Sequence, residues 1–131
     1  MLYRCVVIVA TSFLAFICYM VYLANTGGHS IFFELVQRLP YGDKIGHFVL
    51  FMVLSSLVNA AWKFKTRRFL GWRVYQGSLF VLLFVVIEES SQLFIPSRSF
   101  DPLDFLANLL GVLVGTMFCR LVVTTARLPQ V

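Results

Sequence analysis

Three groups of polar residues interrupt otherwise apolar stretches of this sequence. Asp43, Lys44 and His47 form the first, with Asp43 and His47 four apart and so stacked on one helical face. Glu88, Glu89 and Gln92 form the second, and Glu89 and Gln92 are three apart. The third runs from Arg98 through Asp101 and Asp104 to Asn108, Gly111 and Gly115. At about 100° per residue its members from Asp101 onward stay within an arc of roughly 80°. Carboxylates, an imidazole and two cations in this order allow three chemistries. Glu89, Asp104 and His47, with Asp43 beside them, are ligand types that suit Mg, Mn or Zn, so a divalent metal is the cofactor such a site would hold. No His-x-x-x-His or Cys pair strengthens that reading. Glu89 and His47 could instead work as a general acid and base. Lys44, Arg98 and the start of the helix after Asp101 could hold an anionic headgroup. The surplus of acids then favours a zwitterionic or amine-bearing lipid, or a phosphate bridged by metal.

The elements that must position these residues follow from composition. The 131 residues are 60% hydrophobic and only 13% charged, about half the charge a soluble domain carries, so the chain lacks the groups to cover a water-exposed surface. Four apolar stretches, at about 6–24, 45–62, 74–95 and 103–123, are each long enough to cross the hydrocarbon. They use up the chain and leave room for one domain. The first exceeds the core of a secretory signal, and Tyr22-Leu23-Ala24 is a poor cleavage site, so it reads as an uncleaved membrane helix. The fold expected is an all-α integral membrane protein, a bundle of four transmembrane helices.

Basic residues collect in cytoplasmic loops. Arg4, Lys63, Lys65, Arg67, Arg68, Arg73, Arg120 and Arg127 all fall on one side of a four-helix threading, whereas the other keeps Arg38, Lys44 and Arg98. Both termini and the central loop are therefore expected in the cytoplasm, with Trp62 and Trp72 at the membrane interface. The net charge of +5 is accounted for by loops beside anionic headgroups, and the basic run lacks any nucleic-acid reading module. All six acids, Glu34, Asp43, Glu88, Glu89, Asp101 and Asp104, lie toward the outer side. Acids contribute little to topology, so their segregation points to a site. In the first outer loop Ile31, Phe32, Phe33, Leu35, Val36 and Leu39 alternate with Glu34, Gln37 and Arg38 at helical spacing, which predicts a short interfacial helix able to roof the bundle.

Depth brings the three groups together. At about 1.5 Å per residue, His47 lies roughly 6 Å inside its helix, Glu89 roughly 9 Å and Asn108 roughly 10 Å, all in the outer half of the bilayer. Polar groups at that depth are expensive unless paired or wet, which favours one inward-facing pocket. Local structural roles compete for some of them. Asp101 before Pro102 suits an N-cap, Asp43 is placed to cap the second membrane helix, and Arg98 can complement the end of the third. Gly111 and Gly115 have the small-xxx-small spacing of close helix packing. Capping does not account for His47, Glu89 or Asn108. Ser90 and Ser91 have no nucleophile-elbow context, and Cys5, Cys18 and Cys119 form no disulfide framework. Transport is disfavoured in a four-helix monomer without an inverted repeat, an objection that a homo-oligomer would soften.

The ordered set Asp43-Lys44 with His47, Glu89 with Gln92, Arg98, and Asp101-Pro102-Leu103-Asp104 leading to Asn108, Gly111 and Gly115 resembles the signature of the VanZ-like family of bacterial membrane proteins, over about residues 41–115. Glu88 stands as an addition beside the family acid. The resemblance implies a cell-envelope setting in the bacterial inner membrane and an altered response to envelope-directed antibiotics such as the glycopeptide teicoplanin; it supplies no reaction. The function expected is recognition of a membrane lipid or lipid-linked envelope headgroup, with Glu89 and His47 handling a proton or cation, Lys44 and Arg98 attracting the anionic part, and Asp43, Gln92, Asp101, Asp104 and Asn108 completing the site. The alternatives are an acid–base or metal-dependent enzyme acting on an envelope lipid, and a structural polar network that takes no ligand.

Overall fold

Each chain reversal is built from residues suited to it. In the computed structural model, which describes residues 1–96 and 98–128, α1 spans Leu2–Thr26 and stops at Gly27, whose φ of 71° allows its N–H to return to the Leu23 carbonyl. Ser30 then caps α2, Ile31–Gln37, by accepting the Phe32 N–H at 3.2 Å. The next helix, α3, runs Gly42–Ala61. A side chain at Gly42 would collide with the Val36 carbonyl, so glycine is what lets α3 start against the end of α2. After β1 and β2, described below, α4 spans Gln76–Ser91 and tightens into a 3-10 turn at Gln92–Phe94. Finally α5 runs Pro102–Thr125, with Asp101 capping it and Pro102 in its first turn.

The four long helices are each apolar and long enough to cross a membrane. Helix α3 is the hub. It packs most extensively on α5 and also meets α1, α2 and α4. Their shared core is Ile17, Phe51, Leu54, Val58, Val81, Val85 and Val112. Outward faces stay apolar: Ile8, Tyr19, Leu83, Ile87, Leu113, Met117 and Leu121 are exposed, as a lipid solvent requires. Gly111 and Gly115 sit on the α3–α5 contact, where an added Cβ at Gly111 would overlap the Phe48 carbonyl and one at Gly115 the Ser55 hydroxyl. The packing role read from their spacing is what the geometry shows.

Two local features differ from the sequence reading. The basic loop after α3 is a β-hairpin in which β1, Thr66–Phe69, pairs antiparallel with β2, Trp72–Tyr75. Leu70 and Gly71 turn it, both with left-handed φ (50° and 84°), the backbone that matches strand twist in a two-residue hairpin. Val74 therefore belongs to a strand, and the third membrane helix begins at Gln76. Four-residue strands rich in Arg carry too little alternation to register against a flanking apolar helix. The second difference is α2. Phe32 packs edge-on against Phe16 of α1 with ring centroids 5.4 Å apart, and Val36 lies beside Gly46. The short helix thus braces α1 against α3 and leaves the bundle end open, so Asp43 keeps 62% of its side chain exposed.

Candidate functional site

Asp43, Glu88, Glu89, Asp101 and Asp104 lie at the helix ends opposite the hairpin, and Glu89 is the most buried of them. Glu89 on α4 is 1% exposed, and its Oε1 accepts a hydrogen bond from Asn108 Nδ2 on α5 at 2.6 Å. Asn108, fully buried, turns its Oδ1 to His47 Nδ1 on α3 at 2.9 Å. An amide oxygen only accepts, so Nδ1 must carry the hydrogen. In the neutral ring Nε2 then holds the lone pair, and it faces Asp43 Oδ1 at 3.7 Å and Asp104 Oδ2 at 3.8 Å. A chain of polar contacts therefore crosses three helices, from a sealed carboxyl to a half-exposed end.

Lys44 closes that open end. Its Nζ lies 2.8 Å from Asp101, 3.1 Å from Asp104 and 3.6 Å from Asp43. Three carboxyl groups surround one ammonium, an excess of acids over bases at this end. The donor set can do two things. Nε2 beside two carboxylates can take up a proton as a base, and the ligand atoms of Asp43, His47 and Asp104, all within 4.8 Å of one another, can hold a divalent cation. Asn108 orients the imidazole from its far side as an outer partner does in a metal site. Glu89, expected among the metal ligands, is not in this set and acts on His47 through Asn108.

The site also divides where the sequence suggested one group. Arg98 does not join Lys44; its guanidinium lies 3.7 Å from Glu88 Oε1 and donates to Asn25 Oδ1 at 3.2 Å. Gln92, paired in the sequence reading with Glu89, donates to Glu88 Oε1 at 3.0 Å. Glu88 is thus the buried acid of a second network that ties the end of α4 to the end of α1. Four residues apart, Glu88 and Gln92 share a helical face, the spacing that could have shown this pairing. Asp43 does not cap α3. The cap position is Tyr41, and Asp43 sits in the first turn facing Lys44 and His47.

Asp101 both caps and pairs. It accepts the Leu103 N–H at 2.9 Å and the Lys44 ammonium at 2.8 Å. The Lys44 bond first, then the Leu103 N–H, hold its carboxyl below the ordinary range. A carboxyl with a depressed folded-state pKa stabilises the fold above its unfolded value and loses that contribution as pH falls through the folded one. Asn caps as well as Asp, so Asp101→Asn removes the charge alone. The melting-temperature gap between parent and variant is expected to hold down to about pH 5 and to shrink below about pH 4. A gap that widens on acidification would contradict the pairing.

A third polar group escaped the sequence reading. Asn59 on α3, fully buried, donates to Ser78 on α4 at 2.8 Å, and Ser78 shares a hydrogen bond with Thr116 on α5 at 2.7 Å. Gly77 makes room for Asn59, which a side chain there would strike. A lone Asn in an apolar span was the available signal. These bonds pin α3, α4 and α5 in the half of the bundle near the hairpin.

The family model for VanZ/LLP1 matches residues 5–123. No curated protein and no solved structure matches the chain. The matched stretch takes in all four membrane-length helices nearly whole and every side chain of the Glu89–Asn108–His47 chain and its Lys44 cluster, and it shows that the protein belongs to the VanZ/LLP1 family.

Proposed function

We propose that the acidic end of the bundle faces the outside of a bacterial cytoplasmic membrane and binds the headgroup of an envelope lipid or lipid-linked envelope precursor. The observation that carries this reading is the run from buried Glu89 through Asn108 to His47, ending where three carboxyl groups surround one ammonium. A ligand that balances it brings positive charge to Asp43 and Asp104 and an oxyanion to Lys44. An amine-bearing or zwitterionic headgroup does so, and so does a phosphate carried by a divalent cation. The bias of Arg and Lys toward the hairpin end supports the orientation. On this reading, changed handling of an envelope lipid is how the chain would alter susceptibility to a glycopeptide such as teicoplanin.

Native mass spectrometry of the protein extracted with its lipids in mild detergent tests the proposal. Asp43→Asn suits the comparison, because Asp43 is exposed and caps nothing, so its loss is expected to move stability by under about 0.5 kcal/mol. A discrete lipid adduct on the parent, reduced about tenfold in Asp43→Asn and in His47→Gln, is the expected result. Identical diffuse lipid on all three proteins would end it. The inward-turned bonds of Asn108 favour a second reading, a network that only fixes helix register. Under that reading no discrete adduct forms, and the variants differ in stability alone.

A further inference from the structure

The hairpin end holds a cavity with basic residues in its wall. This cavity, of about 360 Å³, lies between the hairpin and the last turns of α5, lined by Thr66, Trp72, Arg73, Tyr75, Arg120 and Thr124. That volume is within the range of small-ligand sites. Arg120 reaches across from α5 and donates to the Arg73 carbonyl at 2.9 Å, which fixes β2 against the helix and puts two arginines on one cavity. No Asp or Glu side chain belongs to this end of the chain.

A further observation points to an anion there. The hairpin register sets Arg68 directly opposite Arg73, on the same face as Thr66 and Tyr75. Like charges in a cross-strand pair repel, and an anion between or beside them reverses the sign of that interaction.

We propose that this cavity binds a phosphate-bearing group of net negative charge through Arg73 and Arg120, with Tyr75 and Trp72 in its wall. The hairpin tip places it at the level of lipid phosphates. Phe69, Leu70 and Trp72 are 52%, 84% and 76% exposed and are flanked by Arg67, Arg68 and Arg73, the mixture of apolar and cationic side chains that settles at a headgroup layer. The same chemistry would accept a soluble phosphorylated molecule, and the two sources separate experimentally. The site is remote from the Glu89–His47 cluster, and its test does not depend on what that cluster binds.

Trp72 supplies the readout. In a Trp62→Phe background it is the sole tryptophan, and its fluorescence can be followed in detergent micelles as phosphatidylglycerol, phosphatidylcholine or inorganic phosphate is added. A saturable response to phosphatidylglycerol at least about tenfold tighter than to phosphatidylcholine is expected. Arg73→Gln, which keeps the carbonyl that Arg120 uses, should weaken it about tenfold. Arg127→Gln, at the same end but outside the cavity, should change it less than twofold. Saturation by millimolar inorganic phosphate that also displaces the lipid would identify a soluble phosphate as the ligand, and lipid binding that phosphate leaves untouched a headgroup; either upholds the site. Equal responses to the two lipids with none to phosphate, full binding by Arg73→Gln, or a loss in Arg127→Gln as large as in Arg73→Gln would overturn it.

Discussion

Gly111→Ala is expected to destabilise the bundle by about 3 kcal/mol, whereas Gly46→Ala is expected to stabilise it by up to about 1 kcal/mol. The two substitutions add the same methyl group to a membrane helix and differ only in what that methyl meets. At Gly111 it overlaps the Phe48 carbonyl and comes within 3.0 Å of the Met52 amide, both backbone of α3. A backbone cannot rotate away, so α3 and α5 must separate along their longest contact. At Gly46 the nearest atoms are the Val36 methyls at 3.8 and 3.9 Å, ordinary contact distances, and the gain in helix propensity remains. Gly115→Ala belongs with Gly111, since its methyl would strike the Ser55 hydroxyl and the Met52 carbonyl. Unfolding midpoints in one detergent measure all three. If Gly111→Ala behaves like Gly46→Ala, the α3–α5 contact has room for a methyl group after all.

Asn108→Leu is expected to have an effect of similar size by a different route. It removes the donor to Glu89 Oε1 and the acceptor for His47 Nδ1 in one step. Glu89 Oε2 already has no hydrogen-bond partner among the described residues, so the variant leaves a carboxyl 1% exposed without its Asn108 donor. A strongly polar group deprived of a donor in an apolar setting accounts for about 3 kcal/mol or more. Adding Glu89→Leu should restore much of the loss, because an apolar pair needs no partner. A double-mutant cycle on Asn108 and Glu89 is therefore expected to show a coupling of about 1–3 kcal/mol. Coupling near zero would mean that the chain from Glu89 to His47 is not an energetic unit. The double variant also distinguishes function from support: if it is stable yet carries no lipid adduct, the network serves the ligand and not merely the fold.

The amino-acid sequence by itself determined the solvent of this protein and the set of residues at its acidic end. Length and hydropathy of four stretches are one-dimensional properties, and the bilayer turns them into four crossings without reference to any contact. Helical spacing did the same for Asp43 with His47 and for the stripe from Asp101 to Gly115, since residues three or four apart share a face in any α-helix. The cap at Asp101 and the packing of Gly111 and Gly115 were legible for that reason. Partner choice between helices was not. Whether Arg98 meets Lys44 or Glu88, and which of Glu88 and Glu89 reaches Asn108, depends on the rotation of α4 against α1 and α5, a variable that neighbouring Glu88 and Glu89 do not encode separately. The order Glu89 to Asn108 to His47, and with it the tautomer that aims Nε2 at two carboxylates, exists only once three helices have docked. The hairpin and the Tyr75 cavity likewise appear only in the tertiary structure: the strands are too short to leave a periodic trace, and the cavity's walls come from residues about 50 apart whose meeting is set by how the hairpin folds back on α5.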